Sequence, residues 1–156
     1  MAGQITYRLE NILVKNASLE VPENVVTPTF TQKPEVQLEV RNKTRPLNMD
    51  NYHEVSLEGT ARIKSGDDLQ VLIEVLQAGV FYIEEADSDT RQQFLGIHAP
   101  TILYPYFTYL INDLMAHAGA PRVFLPPFNF SLVYQKKQEI LRKKLEDDNS
   151  EGSVPS

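Results

Sequence analysis

LQVLIEVLQAGVFYI, residues 69–83, reads as a β-strand that is apolar on both faces. Side chains alternate across a strand. Leu69, Val71, Ile73 and Val75 therefore share one face, and Leu72, Leu76, Val80 and Tyr82 share the other. A sheet with one side in water shows a polar second face. Here one face is expected to meet helices, and the other a second subunit or a ligand.

Upstream, three further strands are expected. Tyr7 and Leu9 alternate with polar neighbours, the phase breaks at Ile12, Leu13 and Val14, and alternation resumes at Ala17, Leu19 and Val21. A long strand with a bulge between Asn11 and Asn16 accounts for the break. Pro22 and Pro28 bracket a polar connection that ends near Pro34. Val36, Leu38 and Val40 form a short second strand, and residues 41–50, with Pro46, read as a turn or longer loop. Val55, Leu57, Ala61 and Ile63 form the third, and Ser65, Gly66, Asp67 and Asp68 signal a tight hairpin into the fourth.

Downstream, the period lengthens. Residues 86–93 begin a turn or short helix. From Thr101, the residues Leu103, Phe107, Leu110, Leu114 and Ala118 recur at helical spacing. Pro105 must lie in the first turn or bend the helix, and Gly119 and Pro121 stop it. RVFLPPFNF, residues 122–130, is stiff and extended, and Val123, Phe124, Leu125 and Phe128 need cover there. A second helix is expected over residues 130–146, with a thin stripe of Val133, Ile140, Leu141 and Leu145 on a strongly basic body. The expectation is one α+β domain over residues 1–146, a four-stranded antiparallel sheet followed by two helices, with residues 147–156 as a disordered acidic tail.

Composition narrows the function. The 156 residues carry a formal net charge of -6, which disfavours nucleic acid as a partner. Cysteine is absent, so disulfides, thiolate nucleophiles and Cys-ligated metals are excluded. His53, His98 and His117 form no ligand motif, and the Asp113/His117 spacing fits a surface or capping pair. No nucleotide-binding glycine motif or nucleophile elbow appears. The clustered Glu84, Glu85, Asp87 and Asp89 read as a charged turn. The N-terminus lacks the basic start and apolar run of a signal peptide. No apolar stretch is long enough to span a bilayer. The expectation is therefore a non-enzymatic protein without cofactor or metal. Its surplus of apolar surface is to be covered by self-association, by a groove that binds a partner, or by the loop folding back on its own core.

The chain resembles the SecB family over residues 7–134. The matching stretches are QKPEVQLEV at residues 32–40, EVLQAGVFYI at 74–83, LGIHAPTILYPYFTYLINDLMAHAG at 95–119 and LPPFNF at 125–130. Within them, Gly96, Pro100, Leu103, Tyr104, Pro105 and Tyr106 match the family's most specific motif. The resemblance implies a cytoplasmic homotetramer, a dimer of dimers. It would hold unfolded precursor proteins in surface grooves without ATP and pass them to the SecA motor. It implies neither nucleic-acid binding nor membrane insertion. Phe30, Pro34, Tyr109, Phe124, Leu125, Phe128 and Tyr134 would contribute to client binding, and Glu20, Leu72 and Glu74 to motor binding. Asn16 stands where the family usually has an acid, and the tryptophan common in the crossover segment is missing. These departures, with the basic last helix, keep open a chaperone dedicated to one client, such as an antitoxin. A structural or regulatory interaction protein without a client groove is the third possibility.

Overall fold

The computed structural model describes residues 4–30 and 33–151, with side chains through Asn149. Four antiparallel strands, β1 (Tyr7–Glu20), β2 (Glu35–Pro46), β3 (Tyr52–Ser65) and β4 (Asp68–Ile83), form one sheet in the order β1-β4-β3-β2. Helices α1 (Ser88–Gln93), α2 (Ala99–His117) and α3 (Phe130–Glu151) follow. This is the α+β architecture expected.

β1 carries two bulges. Its register against β4 shifts between Leu9 and Asn11 and again between Val14 and Asn16. Each adds one residue and resets which side chains face the helices. Leu9, Ile12, Val14, Ala17 and Leu19 thus share the face of Phe81, Gly79, Gln77, Val75 and Ile73. The irregular run of Ile12, Leu13 and Val14 is the visible trace of this resetting.

β2 is longer than expected. It pairs with β3 through Pro46 opposite His53, so residues 41–46 are strand and only a short turn remains. Leu47 and Tyr52 close that turn, with Asn51 at φ 68°. Polar composition misled here because β2 is an edge strand, where Arg41, Lys43 and Arg45 face solvent at no cost.

α2 lies on the sheet where two glycines leave room. A Cβ on Gly79 would come within 2.7 Å of Leu103 Cδ2, and one on Gly59 would collide with the Phe107 ring. The core is Val55, Leu57, Ile63, Ile73, Phe81 and Ile83 under Leu103, Phe107, Ile111 and Met115. Leu110 and Leu114, expected on the buried stripe, are half-buried, while Ile111 and Met115 take the centre. Apolar residues surround this helix, so periodicity did not fix its rotation.

A π-helical turn at Phe94–His98 joins α1 to α2. Pro105 lies inside α2, seventh in the helix, so the Thr101 carbonyl lacks its usual donor. α3 reaches Glu151, five residues beyond the expected end at Glu146, so residues 147–151 are helix and not tail. Residues 152–156 lie outside the described residues. From Gln135 to Asn149 every side chain of α3 is exposed, including Ile140, Leu141 and Leu145.

Candidate functional site

β2 ends the sheet, so one of its edges is open. In an antiparallel strand each residue turns both its N–H and its C=O to the same side, and successive residues alternate. The Glu39 carbonyl lies against Gly59 of β3, and the Asn42 carbonyl accepts a hydrogen bond from Lys137 Nζ of α3 at 3.3 Å. The odd-numbered residues therefore bond inward. Val36, Leu38, Val40, Asn42 and Thr44 present their backbone groups to the open edge.

Two clefts lie along that strand. The first, about 560 Å³, sits beside its N-terminal half, lined by Pro34, Val36 and Leu38 on one wall and by Val123, Phe124 and Leu125 on the other. The second, about 530 Å³, sits beside its C-terminal half, between Asn42, Lys43 and Thr44 and the side chains of Leu95, Tyr134 and Leu141. From Val36 to Thr44 an extended chain covers about 26 Å.

The loop that walls the first cleft is held by buried anchors. Tyr104 donates its hydroxyl to the Pro126 carbonyl at 2.6 Å, and burial pushes the phenol's pKa up. Asn112 accepts from the Val123 N–H at 3.1 Å and donates to the Thr108 carbonyl. Between these anchors Leu125 turns inward, 8% exposed, and Phe124 turns outward, 84% exposed. The loop is fixed and its aromatic ring is not covered. Tyr104, singled out only as part of the family motif, and Asn112, an ordinary helix residue by pattern, are not assigned to the site by the sequence. Gln70 was missed too: buried on β4, it accepts the Thr29 N–H at 3.1 Å and fixes the crossover ahead of Pro34.

Of the residues expected to bind a client, Pro34, Phe124 and Leu125 meet in the first cleft. Tyr134 lies in the second, its ring over Gly96, where a Cβ would come within 2.5 Å. Phe128 lines neither; it packs on Phe130 at 4.8 Å between ring centroids and on Tyr104 at 6.4 Å. Phe30 is half-buried against the core. Tyr109, 70% exposed on α2, also lines neither cleft.

On the sheet face away from α2, Glu20 stands opposite Leu72, and Ser18 opposite Glu74. The three residues expected to bind the motor are therefore adjacent. Asn16, Glu58, Glu74 and Leu76 line a shallow hollow beside them. Arg62, opposite Leu72, is held by Glu39 at 3.6 Å.

The rest of that face is partly covered by the chain itself. Arg8 lies over the Tyr82 ring at 4.3 Å, and Tyr52 meets the same ring edge-on. Lys15, the residue of the second bulge, reaches Glu54 of β3 at 2.7 Å, and Arg45 of β2 pairs with the same carboxylate. Arg45 first, with Lys15, holds the Glu54 pKa below its usual value. Leu72 and Leu76 remain half-buried beside Glu74.

Among the described residues no group of His, Cys, Asp and Glu could hold a metal ion, and no helix is long and apolar enough to cross a membrane.

The family model described as "Preprotein translocase subunit SecB" matches residues 2–140. The protein-export protein SecB of Thiobacillus denitrificans is 33% identical over 138 residues, covering 88% of this chain and 90% of that protein. Those of Alkalilimnicola ehrlichii and Methylobacillus flagellatus are 34% and 35% identical, covering 94% and 87% of this chain and 79% and 87% of theirs. Among solved structures, a SecB-like chaperone of Mycobacterium tuberculosis in complex with a ChAD peptide from an antitoxin superposes with a TM-score of 0.67 at 16% identity. The match covers 79% of this chain and 91% of that one, and it shows a shared fold.

Proposed function

The chain belongs to the SecB family of chaperones, and from that premise we propose that it holds unfolded polypeptides, in extended form and without ATP, along the open edge of β2. The family's proteins are chaperones and not enzymes, and they are typically cytoplasmic, which we take as the location here. The observation that carries the reading is the pairing of an unpaired strand edge with two apolar clefts on the same strand. An unfolded chain offers backbone donors and acceptors together with apolar side chains. The edge takes the first by strand addition. The clefts take the second by burial, at roughly 25 cal/mol per Å². Neither contact demands a particular side chain. Several copies of the site in one assembly would hold a long client through many weak contacts, and we propose the dimer of dimers as that assembly.

For the finer role we favour a restricted client set. The solved chaperone of the same fold holds an antitoxin peptide, Asn16 carries no charge where the family usually has an acid, and residues 136–144 in the middle of α3 are strongly basic. Delivery of precursors to a SecA motor is the second reading. It is favoured by the names of the relatives and by the adjacency of Glu20, Leu72 and Glu74.

Aggregation of a denatured protein, followed by light scattering, tests the holding function. The chain is expected to suppress it, and Phe124→Asp, at an exposed position, is expected to weaken suppression with the fold intact. Unchanged scattering at several-fold excess of chaperone would reject the proposal. A pull-down then separates the finer readings: one dominant client supports the first, and a broad precursor set supports the second. Under the second reading Glu74→Lys lowers affinity for the motor and spares clients.

A further inference from the structure

The clefts along β2 carry charge of one sign. Lys33 and Arg122 line the first, and Lys43 and Lys137 line the second. Neither cleft is lined by a carboxylate, although the chain has 21 acidic and 15 basic residues. The acids of β2 itself, Glu35 and Glu39, share a strand face with Lys43 but line neither cleft. All four basic side chains are exposed, and among the described residues none pairs with a carboxylate. Lys137 rests instead on the backbone carbonyl of Asn42, an edge group that an added strand would need. A carbonyl is a weaker partner for an ammonium than a carboxylate is.

We propose that the track along β2 selects client segments in which aspartate or glutamate alternates with aromatic or aliphatic residues. The apolar side chains enter the clefts beside Phe124 and Tyr134. The carboxylates meet Lys33, Arg122, Lys43 and Lys137, and an acid at the second cleft draws Lys137 off the Asn42 carbonyl and frees that group for strand pairing. The proposal rests on the holding function and names its substrate class. Charge complementarity favours the acidic segment: a cationic rim repels lysine-rich chains and leaves neutral ones dependent on burial alone.

The test uses the full chain and three fluorescent peptides that share their apolar residues and carry Glu, Lys or Ser between them. Anisotropy titrations at low salt should rank Glu above Ser above Lys, with about a tenfold gap between the extremes. The gap should narrow as salt screens exposed charge. The variant carrying Lys33→Glu, Lys43→Glu, Arg122→Glu and Lys137→Glu should reverse the order, its fold checked by circular dichroism. Lys137→Gln alone should shrink the gap. Equal affinity for the three peptides would overturn the selectivity while leaving the holding function in place, and an unchanged order in the variant would do the same. Displacement of the Glu peptide by an RNA oligonucleotide would assign the basic track to nucleic acid and overturn the proposal. Failure to bind any of the three would overturn the holding function as well.

Discussion

The Tyr104 hydroxyl donates to the carbonyl of Pro126, 2.6 Å away and 22 residues along the chain. That bond joins the buried face of α2 to the proline loop. It stiffens the wall of the first cleft, so Phe124 can stay exposed without the loop collapsing over the groove. Tyr104→Phe removes the bond and keeps the ring. The expected loss of stability is about 1 kcal/mol, read from denaturant unfolding. The larger expected effect is on client affinity, measured with the same variant by anisotropy. Unaltered affinity would show that loop order is not what keeps the cleft open.

The ring of Phe107 occupies the space that a side chain at Gly59 would need. Gly59→Ala is expected to destabilise the fold by about 1–3 kcal/mol through overpacking. Gly66, at φ 63° in the β3–β4 turn, has no atom near its missing Cβ. Gly66→Ala is strained by its backbone alone, so a smaller loss is expected there. Chemical denaturation of the two variants compares them; a Gly59 variant as stable as the parent would contradict the packing described.

Glu54 binds Arg45 of β2 and Lys15 of β1. Its folded pKa lies below the ordinary 4.5, with the Arg45 hydrogen bond the largest cause. A lowered carboxylate pKa means that the unfolded chain takes up the proton first as pH falls. The stability from this cluster is therefore fully present above pH 4.5 and is lost as pH falls below that value through the folded pKa. Thermal unfolding from pH 7 to pH 3 should show Glu54→Gln losing less stability on acidification than the parent. Identical slopes would remove Glu54 from the acid response.

Much of the fold is legible in the chain because strands declare themselves by alternation. The second bulge of β1, at Lys15, is visible as a broken phase and the hairpin at Gly66 as turn chemistry, while the first bulge, at Glu10, lies before the stretch where a single bulge is expected. The far half of β2 was not visible, because an edge strand tolerates Arg41, Lys43 and Arg45 as readily as a loop does. The rotation of α2 was hidden by its own apolarity; burial of Ile111 and Met115 depends on where Gly59 and Gly79 lie across the sheet. For the site, the loop aromatics could be found as apolar residues that helix and sheet do not absorb. The anchors Tyr104, Asn112 and Gln70 could not, since each acts across a distance in sequence that no local pattern encodes.

In the proposed function a client occupies the open edge of β2. Amide hydrogen exchange on the full chain, with and without an excess of a denatured client, tests it most directly. Binding is expected to slow exchange at Val36, Leu38, Val40, Asn42 and Thr44, whose amides face the open edge, and to leave Glu39 and Arg41, already bonded to β3, unchanged. Slowed exchange confined to other surfaces, with β2 unaffected at saturating client, would contradict the account.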